Sequence, residues 1–165
     1  MSARAEIQCY FDGCCEPTNP GGTAAFGAVI YLSGIRIWEC SRVFTPKSGG
    51  KIQTSNNVAE YQGVIAILEW LLEQQFRKSD IQINGDSMLV CCQMQKQKGQ
   101  PLWKIRQGLY VPHARNCKKL LRKFPRVRFK WIPRDENNLA DELSKRELIR
   151  LGVEFRIQPI EEVAA

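Results

Sequence analysis

Four acidic residues stand where a carboxylate could do chemistry. Asp12 and Gly13 end the run EIQCYFDG over 6–13, in which Ile7, Cys9 and Phe11 alternate with Gln8 and Tyr10 in the two-residue period of a strand with unlike faces. Glu60 sits near the start of a long apolar helical stretch, Asp86 directly follows a short strand, and Asp141 lies in a helical stretch near the end of the chain. Carboxylates gathered from such places could hold a hard divalent cation, which takes oxygen ligands. Each acid also has an ordinary structural alternative. Asp12-Gly13 reads as turn chemistry after the strand, Glu60 as the third position of a capping box opened by Asn57, Asp86 as a helix N-cap, and Asp141 as an exposed helix residue. Taken singly, each acid is more often structural than catalytic.

The elements that must position these acids follow from the hydrophobic pattern. After Gly13, CCEPTNPGG is a loop; Ala24 to Leu32 and Ile35 to Phe44 are two strands joined at Ser33-Gly34, completing a three-stranded meander. A glycine-rich loop over Thr45 to Ile52 precedes a helix in which Tyr61, Ile65, Leu68 and Leu72 form one stripe and Val64, Ile67 and Leu71 a second, the mark of a helix covered on most sides. Asp80 to Gly85 is a short strand, Ser87 to about Gln95 a helix, and Leu102 to Lys123 a second, basic helix interrupted at Pro112 and ended by Pro125. Arg126 to Ile132 alternates Val127, Phe129 and Trp131 on a buried face with basic residues on the other, and Asn137 to Arg150 is the last helix. A hairpin meander followed by strand–helix alternation predicts an α/β fold, a mixed sheet with helices on its faces and ligands at the strand ends.

At 165 residues the chain fits one domain, expected over residues 1–150 with a C-terminal tail over 151–165. No apolar run approaches the roughly 20 residues of a membrane span, and MSARAEIQ lacks the apolar core of a signal peptide. Seven cysteines without CxxC spacing suggest free thiols in a reducing, cytoplasmic compartment, not a disulfide framework or a zinc site. The net charge is +7, and between Asp86 and Asp135 no acid interrupts a long series of lysines and arginines. A one-signed surface of this kind is the electrostatic footprint of a polyanion-binding face.

Taken together, YFDG at 10–13, TSNNVAEYQG at 54–63, INGDSMLV at 83–90 and WIPRDENNLADELS at 131–144 resemble the four signature segments of type 1 ribonuclease H, in that family's order and at its separations, over roughly residues 6–148. The resemblance implies a ribonuclease H-like fold, a five-stranded mixed sheet made of an antiparallel meander plus parallel strands and flanked by helices. It further implies that Asp12, Glu60, Asp86 and Asp141 are the catalytic, metal-binding tetrad of a monomeric endoribonuclease. Such an enzyme hydrolyses the RNA strand of an RNA/DNA hybrid with two Mg²⁺ per site, Mn²⁺ as a possible substitute, leaving 5'-phosphate and 3'-hydroxyl ends. Asp12 is then expected to bridge both ions, Glu60 and Asp86 to complete one site, and Asp141 the other. By the same resemblance Asn19 and Asn56 contact the hybrid, and Ser55 and Asn56 form a pocket for a phosphate of the DNA strand.

The chain also departs from the family's pattern. Where many relatives carry a histidine before the last helix, this loop is Pro133-Arg134-Asp135-Glu136; Arg134 could bind a phosphate but cannot act as a base near neutral pH. The only histidine, His113, lies beside Pro112 and is expected to be a surface or packing residue. Met88 stands where many relatives have a glutamine, and Glu16-Pro17-Thr18 looks like a small insertion that could shift Asn19. The family's basic handle looks shortened to a segment carrying Lys96 and Lys98, so hybrid binding is expected to lean more on Lys104 to Lys123, with Lys118 and Lys119 among them. A catalytically weak or inactive hybrid-binding module of the same fold is the alternative.

Overall fold

The computed structural model describes residues 5–47 and 51–156. Strands β1 (Ile7–Glu16), β2 (Thr23–Leu32) and β3 (Ile35–Val43) form the meander, followed by α1 (Asn56–Glu73), β4 (Ile81–Gly85) and α2 (Met88–Met94). A two-residue-per-strand hairpin, β5 (Lys96–Gln97) and β6 (Gln100–Pro101), leads to α3 (Val111–Leu121), β7 (Val127–Trp131), a 3-10 turn (Arg134–Glu136) and α4 (Asn138–Arg150). The main sheet has five strands in the order β3-β2-β1-β4-β7. β1 pairs antiparallel with β2 and parallel with β4; β2–β3 is antiparallel and β4–β7 parallel, so the sheet is mixed as expected.

Alternation decides what each face of the sheet meets. Ile7, Cys9 and Phe11 of β1 join Ile81, Ile83 and Phe129 in a core that α1 covers with Tyr61, Val64, Ile65, Leu68 and Leu71. The broad apolar face of α1 is thus matched by packing on the sheet and on α3. The opposite face is covered by α4, which lies across β2, β1 and β3.

Two glycines set how close the helices come. A Cβ on Gly13 would stand 2.4 Å from the Glu60 backbone nitrogen, and one on Gly27 would stand 2.5 Å from the Leu143 Cβ and 2.5 Å from the Ser144 nitrogen. No side chain fits at either place. Gly13 is therefore a contact glycine and not part of a turn: β1 runs on through Asp12 and Gly13 to Glu16, with Asp12 paired to Gly27 and Glu16 to Thr23. This corrects the expectation of turn chemistry at Asp12-Gly13.

Other local expectations change for similar reasons. The basic helix is only Val111–Leu121, and Pro112 stands in its first turn, where a missing N–H costs nothing, so the proline starts the helix and does not interrupt it. Ahead of it the chain is irregular and anchored by the buried Gln93, whose Nε2 donates to the Lys104 carbonyl (3.3 Å) and the Tyr110 hydroxyl (3.1 Å) while its Oε1 accepts from the Tyr61 hydroxyl (2.6 Å). Ser55 caps α1, accepting from the Val58 N–H at 3.1 Å, and Ser87 caps α2, so neither Asn57 nor Asp86 is a cap. His113 packs against Phe44 and pairs through Nδ1 with Gln62. Trp131, expected on the buried face of its strand, is 44% exposed at the end of β7. All seven cysteines are free thiols, and no helix among the described residues is long and apolar enough to cross a membrane. Part of the loop over 45–52, and Ile157 onward, lie outside the described residues.

Gly27→Ala should destabilise the protein by about 1–3 kcal/mol, the usual range for overpacking, because α4 has to shift away from β2; urea unfolding of the variant beside the wild type measures this.

Candidate active site

The site forms where the parallel and antiparallel halves of the sheet part. β1 pairs with β4 only as far as Tyr10 and Asn84, after which β1 continues along β2 alone and β4 ends at Gly85. Asp12 lies just past this divergence and Asp86 directly follows β4, so two carboxylates meet at the carboxyl end of the parallel pair. The close seat of α1 on Gly13 brings in the third. One oxygen each from Asp12, Glu60 and Asp86 lie within 4.8 Å of one another. Asp12 and Glu60 are each only 7% exposed.

Asp141 reaches the same place from α4, whose approach Gly27 permits, but its oxygens are engaged by cations. Oδ2 accepts from Lys145 Nζ at 2.9 Å and Oδ1 from Arg134 at 3.4 Å. Three of the four acids thus converge, with the fourth beside them in ion pairs.

Two residues not singled out from the sequence hold the cluster together. Ser144 Oγ lies 3.0 Å from Asp12 Oδ2 and 2.7 Å from the Asp141 carbonyl. Asn137 is buried, and its Nδ2 donates to the Phe11 carbonyl (2.9 Å) and to Asp86 Oδ1 (3.4 Å). The available signal was the spacing Asn137, Asp141, Ser144, which places all three along one side of a helix start. Trp131 adds a third tie, its indole N–H donating to the Asp86 carbonyl at 3.1 Å.

The other predicted residues fall into separate groups. Asn19 and Asn56 form a reciprocal pair: Asn19 Nδ2 donates to Asn56 Oδ1 (2.8 Å) and the Asn56 N–H donates to Asn19 Oδ1 (3.0 Å). Ser55 lies beside them as the cap of α1. Arg134 is exposed and leans on Asp141. Lys118 and Lys119 are in the last turn of α3, on a different element from the acids.

Among the described residues Glu60 Oε2 is buried without a hydrogen-bond partner, as is Asn137 Oδ1. A buried, unsatisfied carboxylate oxygen facing two further carboxylates is costly unless a cation or a proton completes it. The donor set, all oxygen and mostly carboxylate, fits Mg²⁺ or Mn²⁺. In the metal-free protein the same crowding shows in the acidities. Burial, then the negative charges of Asp86 and Asp141, push Asp12 up to about 7, with Ser144 opposing the shift. Burial, then Asp12 and Asp86, push Glu60 well above the usual carboxylate range.

These shifts set the sign of a pH effect. Asp12 stays protonated in the folded protein up to about 7 but ionises near 3.8 once unfolded, so over that window the folded state binds more protons. Its stabilising effect is complete below the lower value and is lost as pH rises through the upper one. In EDTA, thermal melting should show Asp12→Asn gaining on the wild type as pH rises across this window. Parallel curves would mean that Asp12 is not strained in this way.

The reverse transcriptase-like family model matches residues 10–147. The bifunctional protein Rv2228c of Mycobacterium tuberculosis is 29% identical over 126 residues, which cover 76% of this chain and 31% of that protein, so the chain spans about a third of such a relative. Among solved structures, RNase H1 from the halophilic archaeon Halobacterium salinarum superposes with a TM-score of 0.70 at 28% identity, covering 87% of this chain and 98% of that one. The N-terminal RNase H domain of Rv2228c, solved as a fusion with maltose-binding protein, gives 0.70 at 26% identity, covering 90% and 99%. LC11-RNase H1 in complex with an RNA/DNA hybrid gives 0.68 at 29% identity, covering 83% and 92%. The sheet order, the acids at its divergence and these matches lead to one conclusion: the chain belongs to the reverse transcriptase-like family, as a type 1 ribonuclease H-like protein.

Proposed function

We propose that this chain is a metal-dependent endoribonuclease that cuts the RNA strand of RNA/DNA hybrids, with residues 1–150 as one catalytic domain and the remainder to 165 as a tail. The observation that carries the proposal is the trio of carboxylate oxygens within 4.8 Å, one of them on the buried Glu60, whose Oε2 has no partner among the described residues. The structure of LC11-RNase H1 with an RNA/DNA hybrid supports the choice of substrate.

In this reading Asp12, Glu60, Asp86 and Asp141 would hold two Mg²⁺, Asp12 contributing to both sites, Glu60 and Asp86 to one and Asp141 to the other, with Mn²⁺ as a possible substitute. When bound, such ions stabilise the charge on the attacking and leaving oxygens of an in-line displacement, here leaving 5'-phosphate and 3'-hydroxyl ends. The protein's own contribution is placement. Ser144 and Asn137 fix the carboxylates of Asp12 and Asp86 before substrate arrives, which spares that reorganisation during reaction. Arg134, at the rim and permanently charged, serves as a phosphate contact and not as a base. Asn19 and Asn56 hold the hybrid near the start of α1, Ser55 and Asn56 receive a phosphate of the DNA strand, and Lys118 and Lys119 attract the backbone at longer range. The chain acts as a monomer, and its free thiols suit a reducing, cytoplasmic compartment.

End-labelled RNA annealed to DNA, annealed to RNA, or left single should be cut only in the hybrid, only with Mg²⁺ or Mn²⁺, and not by Asp86→Asn. Hybrid bound but left intact under every metal condition would favour a binding module, a reading to which the ion-paired state of Asp141 lends some weight. Reversing charge at Lys118 and Lys119 should raise KM and reduce the slope of log KM against log salt by about 1–2, roughly one for each phosphate that is no longer neutralised; an unchanged slope would remove α3 from the binding face.

A further inference from the structure

The segment after α4 returns to the sheet at Arg156. Arg156 donates from its backbone N–H (3.1 Å) and Nε (3.0 Å) to Glu16 Oε2, and from Nη2 to Glu16 Oε1 (3.3 Å) and the Cys15 carbonyl (3.0 Å). A two-pronged guanidinium on a carboxylate fixes direction as well as distance. Glu16 is the last residue of β1, and the Glu16 side chain is only 15% exposed.

From this point the chain enters the loop over 17–22 that carries Asn19, and the loop is a closed unit. The Gly22 N–H donates to the Thr18 carbonyl at 2.8 Å, and Cys15 Sγ to the same oxygen at 3.2 Å. A Cβ on Gly22 would meet the Thr18 oxygen at 2.4 Å and the Glu16 oxygen at 2.5 Å, so the loop has no slack at its base. Its far side is tied to the start of α1 by Gly21 N–H to the Thr54 carbonyl (3.0 Å) and by the Asn19–Asn56 pair. Arg156 grips the foot of a closed loop that carries the Asn19 amide, itself paired with Asn56 at the start of α1.

We infer that Arg156 is a positioning residue for substrate: its clasp on Glu16 and Cys15 holds the loop over 17–22 so that Asn19 and Asn56 face the hybrid in one fixed arrangement. This rests on the reading of Asn19 and Asn56 as substrate contacts. The sequence around residue 156 then contributes to hybrid binding without touching the acids.

The test uses the full chain with Arg156→Ala, Asn19→Ala and the double variant. Arg156→Ala should raise KM for hybrid about threefold to tenfold, the scale of a partly exposed bidentate pair, with kcat within about twofold. In the Asn19→Ala background the same change should have little further effect, since the two act through one contact. Amide hydrogen exchange on the metal-free protein supplies a second readout. Gly21 and Gly22 should exchange about tenfold faster in Arg156→Ala, with β4 amides unchanged, as expected of a local opening. Unchanged loop exchange, or KM effects that multiply independently in the double variant, would overturn the inference. If the wild type cuts no hybrid, the proposed function fails, and the exchange rates alone decide whether Arg156 holds the loop.

Discussion

Two helices seat directly on neighbouring strands, and the acidic cluster depends on both contacts. Residues paired across β1 and β2 share a face, so Asp12 and Gly27 look toward α4, while Gly13 looks toward α1. Because neither glycine has a side chain, α1 can bring Glu60 close to the strand from one face and α4 can bring Asp141 and Ser144 from the other. Asp12 sits between them. The opening through which all these side chains meet exists because β4 stops pairing with β1 before Asp12.

The cluster so formed is not self-sufficient. Buried carboxylates with few protein donors raise one another's pKa and leave the Glu60 Oε2 without a partner. A core evolved only for stability would have matched these acids with donors or replaced them with apolar groups. Instead, the neutral ties from Ser144 and Asn137 orient the acids while leaving their charge largely uncompensated. Asp141, at the solvent edge, has Lys145 and Arg134 for company, and the inner three have no ion pair among the described residues. An uncompensated oxygen cage is what a cation-assisted reaction requires.

The residues proposed to contact substrate are organised by a different logic. Asn19, Ser55 and Asn56 are tied to one another or to the backbone at the start of α1, so their geometry is set by capping and by a folded-back loop. The cap made by Ser55 is compatible with the substrate contact proposed for it. A loop held by a guanidinium clasp at one end and a reciprocal amide pair at the other loses little freedom on binding.

Much of this was legible in the residues. Alternation in EIQCYFDG, the two apolar stripes of α1 and the order of elements were enough for a mixed sheet with helices on its faces, because burial periodicity is a local property. The four signature segments were enough to nominate Asp12, Glu60, Asp86 and Asp141. Where local rules were read alone they misled: Asp-Gly looked like a turn, Asn57 and Asp86 like caps, and Pro112 like a break. What the sequence by itself determined was which residues are apolar, acidic or conformationally special, and hence which elements form. Only the tertiary structure decided that Gly13 and Gly27 are contact points, that Asn137 and Ser144 orient the acids, and that Arg156 closes on Glu16 across the chain. Those are distances between residues far apart in sequence, and they follow from how elements pack, which no local pattern encodes.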